Sequence, residues 1–174
     1  MRLFLAINFP ETVKDRLFSA ACALREMAGS GSITRRENFH LTLVFLGEVP
    51  PDRVPAIQSA MHSASGFSLT AASIGRFRRP QGDLYWAGVM PNPELQKLRA
   101  MLCKALRASG FPIESRAFRP HLTLGRGMRL TDAAFSACAD LLPPMEIPVS
   151  SYSLMCSERR NGILTYTELH RQLL

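Results

Sequence analysis

Apolar positions along the chain follow two rhythms, one alternating every second residue and one recurring at about 3.6 residues. Residues 2–7, RLFLAI, predict a strand. Pro10 suits the first turn of a helix, and Val13, Leu17, Ala20, Ala21 and Leu24 then recur at helical spacing until GSGS at residues 29–32. Residues 39–46 predict a second strand, broken by Pro50 and Pro51. Val54, Ile57, Met61 and Ala64 predict a second helix, which takes in His62. Strands over 67–74 and 83–90 flank a basic turn, GRFRRPQG. Asn92 and Pro93 supply a cap and first turn for a third helix, with Leu95, Leu98, Leu102, Ala105 and Leu106 on one face and Ser109-Gly110 at its end. A strand beginning at His121 and a short helix over 131–142 follow. Segments 147–156 and 163–169 predict a hairpin around RRNG, because Asn-Gly favours a tight turn.

Strands and helices alternate, but the hairpins argue for antiparallel sheets, so the expected class is α+β. The order is also loosely doubled: helix, strand, helix, strands, then the same again. That predicts two similar lobes packed into one domain over residues 1–174.

Composition changes this picture little, except in charge. With 47% apolar and 20% charged residues, the chain reads as an ordinary globular protein, and a disordered one is excluded. The formal charge is +7, and Arg outnumbers Lys by 18 to 3. A polyanionic partner such as RNA would use that bias, since the guanidinium grips phosphate bidentately. A genome rich in Arg codons would produce it equally well. Cys22, Cys103, Cys138 and Cys156 form no CxxC pair and no metal-ligand spacing, which predicts free thiols in a reducing cytoplasm. The opening apolar run is too short for a secretion signal, and no stretch approaches the length of a membrane span. A soluble cytoplasmic protein, acting without contact with a membrane and as a monomer, is the expectation.

The chemistry lies in a repeated word. His-Leu-Thr-Leu occurs at His40 and again at His121, 81 residues apart, in a chain with only four histidines. Chance repetition of four letters after two of four histidines is remote. In a strand, alternate residues share a face, so His40 and Thr42 lie together, as do His121 and Thr123. Phe39, Leu41, Leu43 and Phe45 form the opposite, apolar face in the first copy, and Leu122 and Leu124 in the second. A cleft between two lobes would then hold two imidazoles and two hydroxyls. Displacement at phosphorus needs a base for the attacking oxygen and an acid for the leaving one, and imidazole serves both near neutral pH. The threonine hydroxyls can donate to non-bridging phosphate oxygens. Nothing in such a scheme needs a metal or a cofactor.

FHLTLVFLGE and RPHLTLGR closely resemble the paired His-x-Thr motifs of the two-histidine phosphoesterases. Within them the chain looks like the RNA 2',3'-cyclic phosphodiesterases, also called 2'-5' RNA ligase-like proteins. RLFLAINFP, LYWAGV and SLMCSERRNGILTYTEL extend the resemblance over nearly the whole chain. The resemblance implies a bilobal fold with pseudo-two-fold symmetry and a metal-independent site in the cleft. It implies that His40 is the proton donor to the departing 3'-oxygen and His121 the proton acceptor that activates water, leaving a 2'-phosphomonoester. Thr42 and Thr123 would bind the phosphate, and Arg126 matches the Arg that follows the second motif in that family.

Strict alternation would put Arg126 on the face opposite His121, so its role requires a bulge, and Gly125 is where one is expected. His62 and His170 lack a partner Thr and read as surface residues. Arg35, Arg36, Arg76, Arg78 and Arg79 read first as solvated loops and second as guides for RNA. Tyr85 and Trp86 read as core and stay outside the expected site. Related alternatives are the joining or cleavage of 2'-5' linkages, or a non-catalytic RNA-binding module. A histidine metal site is disfavoured, because no Cys or carboxylate cluster joins either motif.

Overall fold

The computed structural model describes residues 1–115 and 117–174. Two antiparallel sheets face each other. The first contains β1 (Arg2–Asn8), β3 (His40–Glu48), β8 (Ser151–Arg160) and β9 (Ile163–Leu173), in the order β3-β1-β8-β9. The second contains β2 (Ser32–Ile33), β4 (Phe67–Phe77), β5 (Asp83–Val89), β6 (His121–Met128) and β7 (Met145–Val149), in the order β2-β6-β5-β4-β7. Each His-Leu-Thr-Leu strand therefore belongs to a different sheet.

The helices are α1 (Glu11–Ala28), α2 (Val54–Ala60), α3 (Pro93–Ala108) and α4 (Asp132–Ser136). In α1 the buried residues are Val13, Leu17, Ala20, Ala21 and Leu24, the face expected from periodicity. Asn92 caps α3 by accepting from the Leu95 amide at 2.8 Å, and Leu95, Leu98, Leu102, Cys103 and Leu106 are buried. The two longest helices are exchanged between the lobes. Although α1 follows β1, it packs on β6 and β2 of the other sheet, whereas α3 follows β5 and packs on β3. One buried apolar cluster therefore runs through both lobes, from Leu5 and Leu41 to Leu122 and Leu124.

Several expectations are corrected. Pro10 sits at the N-cap of α1, one residue before its first turn. The second helix ends at Ala60, because Met61 turns extended (φ −84, ψ 114), so Ala64 and the exposed His62 lie beyond it. β4 runs on through Phe77, which makes Gly75, Arg76 and Phe77 strand residues. The segment expected as one strand from residue 147 is divided: β7 pairs with β4 in the second sheet, and β8 forms the hairpin with β9. Asn161 and Gly162 make that hairpin's turn, both with positive φ (50 and 79).

The largest correction concerns Phe45. It is 45% exposed, while Val44 and Leu46 are buried. In the β1–β3 ladder Ala6 pairs with Thr42 but Leu5 pairs with Val44, so Leu43 is an extra residue and the faces switch beyond it. The second copy bulges at the same place. Trp86 pairs with Thr123 and Tyr85 with Gly125, which leaves Leu124 extra. The repeated word thus encodes a repeated bulge.

All four cysteines are free, and Cys103, Cys138 and Cys156 are buried. Among the described residues, no helix is long and apolar enough to cross a membrane.

Candidate active site

β3 and β6 bring their polar faces to one cavity of about 430 Å³ between the sheets. His40, Thr42, His121, Thr123 and Arg126 all line it. The bulge at Leu124 is what brings Arg126 there, since Leu84 and Trp86 lie on one face of β5 and pair with Arg126 and Thr123. Arg35 and Arg159 also line the cavity, and among the described residues no Asp or Glu does. Such a lining suits an anion.

Each imidazole is held in the same way. His40 Nδ1 lies 2.8 Å from the Asn38 carbonyl, and His121 Nδ1 lies 2.8 Å from the Arg119 carbonyl. A carbonyl oxygen only accepts, so each Nδ1 carries the hydrogen and each Nε2 is left for chemistry. In both copies the acceptor is the carbonyl two residues before the histidine. Aromatic rings then fix each ring plane. Phe4 and Tyr166 stand 5.0 Å from His40 by ring centroids, with Tyr166 edge-on at 88°. Phe77 and Trp86 stand 5.6 and 6.4 Å from His121, with Phe77 edge-on at 87°. Trp86 in turn lies across Gly75 on the neighbouring strand, where an added Cβ would collide with its ring.

The surroundings of the two rings differ. His40 is the more enclosed, and its Nε2 lies 3.0 Å from the Thr42 hydroxyl. Burial, with smaller contributions from the nearby His121 and Arg126 charges, holds the His40 pKa below the ordinary imidazole range, although its bond to the Asn38 carbonyl opposes this. The protein's own groups therefore favour neutral His40, with Thr42 donating to Nε2. An anion in the cavity reverses the Coulombic balance and raises that pKa. NMR titration of the His40 ring should show a midpoint below that of a free imidazole, moving upward when inorganic phosphate binds. A midpoint at or above the free value in the ligand-free protein would contradict this. The stability sign follows from the same shift: the unfolded chain takes up this proton more readily, so acidification through the imidazole range weakens the fold.

The sequence reading missed much of the support. Asn38 is buried, and its side-chain amide donates to the Leu164 carbonyl at 3.0 Å, tying the approach to β3 to β9. The Thr34 hydroxyl donates to the Thr123 carbonyl at 2.7 Å, fixing β6 beside the site. Tyr166 and Trp86 become neighbours of the histidines only through strand pairing. His62 and His170 do not line the cavity, nor do Arg76, Arg78 and Arg79. Arg36 is engaged with Asp15 and Glu11 on α1. Among the described residues, no group of three His, Cys, Asp or Glu side chains converges to hold a metal ion.

The sequence profile of the 2'-5' RNA ligase superfamily matches residues 13–161 of this chain. The chain belongs to that superfamily. Curated relatives within it include RNA 2',3'-cyclic phosphodiesterases of Thermotoga maritima and Escherichia coli. The first is 31% identical over 90% of this chain and 87% of the relative. The second is 31% identical over 99% of this chain and 96% of the relative. Superfamily likeness extends to solved structures. The E. coli LigT structure complexed with 3'-AMP superposes with a TM-score of 0.80 at 29% identity, covering 99% of this chain and 97% of that one. A Thermus thermophilus structure matches with a TM-score of 0.80 at 26% identity, over 100% of this chain and 98% of that one.

Proposed function

We propose that this protein hydrolyses 2',3'-cyclic phosphate ends of RNA or nucleotides to 2'-phosphomonoesters, using residues 1–174 as one two-lobed catalytic domain. One observation carries the reading: two imidazoles, each with Nδ1–H tied to a carbonyl, line one cavity together with two threonines and Arg126, and among the described residues no carboxylate lines it. The relatives named RNA 2',3'-cyclic phosphodiesterases support the substrate class.

In the proposed reaction, His121 Nε2 takes a proton from water as its oxygen bonds to phosphorus. The bond from phosphorus to the 3'-oxygen breaks on the opposite side, and His40 Nε2–H protonates that oxygen. Phosphorus keeps its bond to the 2'-oxygen, and one proton has been taken up and one given out. Thr42 and Thr123 donate to the non-bridging oxygens, and Arg126 adds a charge-assisted contact where negative charge builds. The cyclic phosphodiester carries one negative charge, and bound beside His40 it favours the protonated imidazole that the acid role requires.

Incubation with a 2',3'-cyclic nucleotide in the presence of a chelator, followed by product identification, tests the proposal. Turnover to the 2'-phosphate at an undiminished rate is expected. No turnover, or turnover abolished by the chelator, would overturn it, and a 3'-phosphate product would reverse the leaving group.

A further inference from the structure

The cleft does not end at Arg126. A second hollow of about 520 Å³ opens from the same residues, sharing Thr42, His121 and Arg126 with the first cavity. Its character is different, because Phe45, Phe77 and Phe118 line it together with Arg99, Arg119 and Glu114, and the Arg2 and Arg99 guanidiniums lie over the Phe45 and Phe118 rings. Phe45 is there because of the bulge at Leu43. It occupies the position in the first copy that Arg126 occupies in the second, five residues after the histidine. The doubled strand thus supplies a cation on one side of the cleft and an exposed aromatic ring on the other.

Arg79 lines this hollow and also a third one, of about 670 Å³, on the β4–β5 hairpin. Four arginines line the third hollow: Arg76, Arg78, Arg79 and Arg129. Their charges are not equally available. Arg76 is buried against Asp132 and Asp83, with its guanidinium over the Phe135 ring, so it holds the hairpin to α4. Arg78 pairs with the same Asp132. The Arg79 guanidinium has no ionic or hydrogen-bonding partner among the described residues, and that of Arg129 donates only to the Pro80 carbonyl, which leaves its charge unbalanced. Both residues are exposed.

We infer that the Phe45–Phe118 hollow and the Arg79/Arg129 edge form a binding track for single-stranded RNA leading into the phosphate cavity. This rests on the proposed hydrolase reading and specifies its substrate as a polynucleotide end. Unpaired bases stack on aromatic side chains and backbone phosphates seek arginine, so an anion-suited cavity, an adjoining hollow with aromatic rings and two arginines without a counter-charge suit the phosphates and base of one strand. Arg76 belongs to the scaffold of the hairpin, and the RNA contact falls to its outward neighbours.

The test compares two substrates with the full-length protein: a 2',3'-cyclic mononucleotide, and a single-stranded RNA of about eight nucleotides with the same end. Wild type should show a higher kcat/KM on the oligonucleotide, and that advantage should fall with added salt. Arg79→Glu and Arg129→Glu should each lower the oligonucleotide value about tenfold, mainly through KM, and flatten its salt dependence by about one phosphate contact. Both should leave the mononucleotide value unchanged. Phe45→Ala should lower the value on both substrates, because the mononucleotide also carries the base that this hollow would hold, and should leave the salt slope unchanged.

Equal effects of the arginine variants on both substrates, or none on either, would overturn the track. Binding of a 3'-phosphorylated RNA of the same length, followed by fluorescence anisotropy, separates the two proposals. If neither substrate turns over but Arg79→Glu still weakens binding, the hydrolase reading fails and the track stands. If both substrates turn over and Arg79→Glu affects neither turnover nor binding, the track fails and the hydrolase reading stands.

Discussion

Alanine at His40 or at His121 is expected to lower kcat/KM on a 2',3'-cyclic nucleotide by about 10²–10⁴-fold, the usual worth of a positioned acid or base. Removing both should cost far less than the product of the single losses, because in the proposed reaction acid and base act on one transition state. The fold should survive each change. His121 is only half-buried, and the His40 ring fills a space between Phe4 and Tyr166 whose loss leaves a small gap. His40→Gln keeps most of that volume without a titrating group, so its activity should be as low as that of His40→Ala with less loss of stability. The wild-type pH–rate profile should be bell-shaped, and each single variant should lose one limb. Alanine variants that turn over at the wild-type rate would remove the histidines from the mechanism.

Gly125→Val, which copies into the second motif the residue that follows the first, is expected to damage both fold and activity. The first copy has Val44 in this position, buried and well tolerated. In the second copy, β2 lies alongside, with Ile33 opposite Gly125 and Ser32 opposite Arg126. A Cβ on Gly125 would meet the Ser32 carbonyl oxygen at 2.8 Å and would collide with the Met128 side chain. The methionine can move, but the backbone of β2 cannot move without breaking its ladder. A stability loss of about 1–3 kcal/mol in urea unfolding is expected, typical of an overpacked interior. Arg126 is the next residue, so kcat/KM should fall at least as far as in Arg126→Ala. The reciprocal Val44→Gly should cost stability but leave the charge of the site in place. Full activity in Gly125→Val would mean that Arg126 does not depend on this bulge.

These two expectations also show what could be read from the chain before folding. The five positions brought forward from the repeated motif, His40, Thr42, His121, Thr123 and Arg126, line one cavity. Strand alternation was enough for the first four, because each His/Thr pair lies within three residues on one strand. Arg126 required a bulge, and glycine beside it was the visible sign. The same bulge in the first copy has no glycine to announce it, so alternation alone puts Phe45 on the wrong face. The aromatic neighbours of the histidines could not be read at all. Tyr166 reaches His40 from 126 residues away, and Trp86 reaches His121 from a different strand.

What the sequence determined by itself was local: the helical face of α1, the Asn92 cap, the Asn161-Gly162 turn and the pairing of His with Thr in each motif. These depend on contacts within about four residues, which propensity and periodicity record directly. Only the tertiary structure decided that β7 joins β4 and not the final hairpin, and that α1 and α3 cross to opposite lobes. It alone decided that both motifs bulge at the same leucine, turning Phe45 and Arg126 towards one cleft. Those outcomes depend on which strand lies beside which, and partners separated by tens of residues leave no period in the chain. The repeated word specified two matching His/Thr pairs; the packing of one sheet against the other brought them to a common cavity.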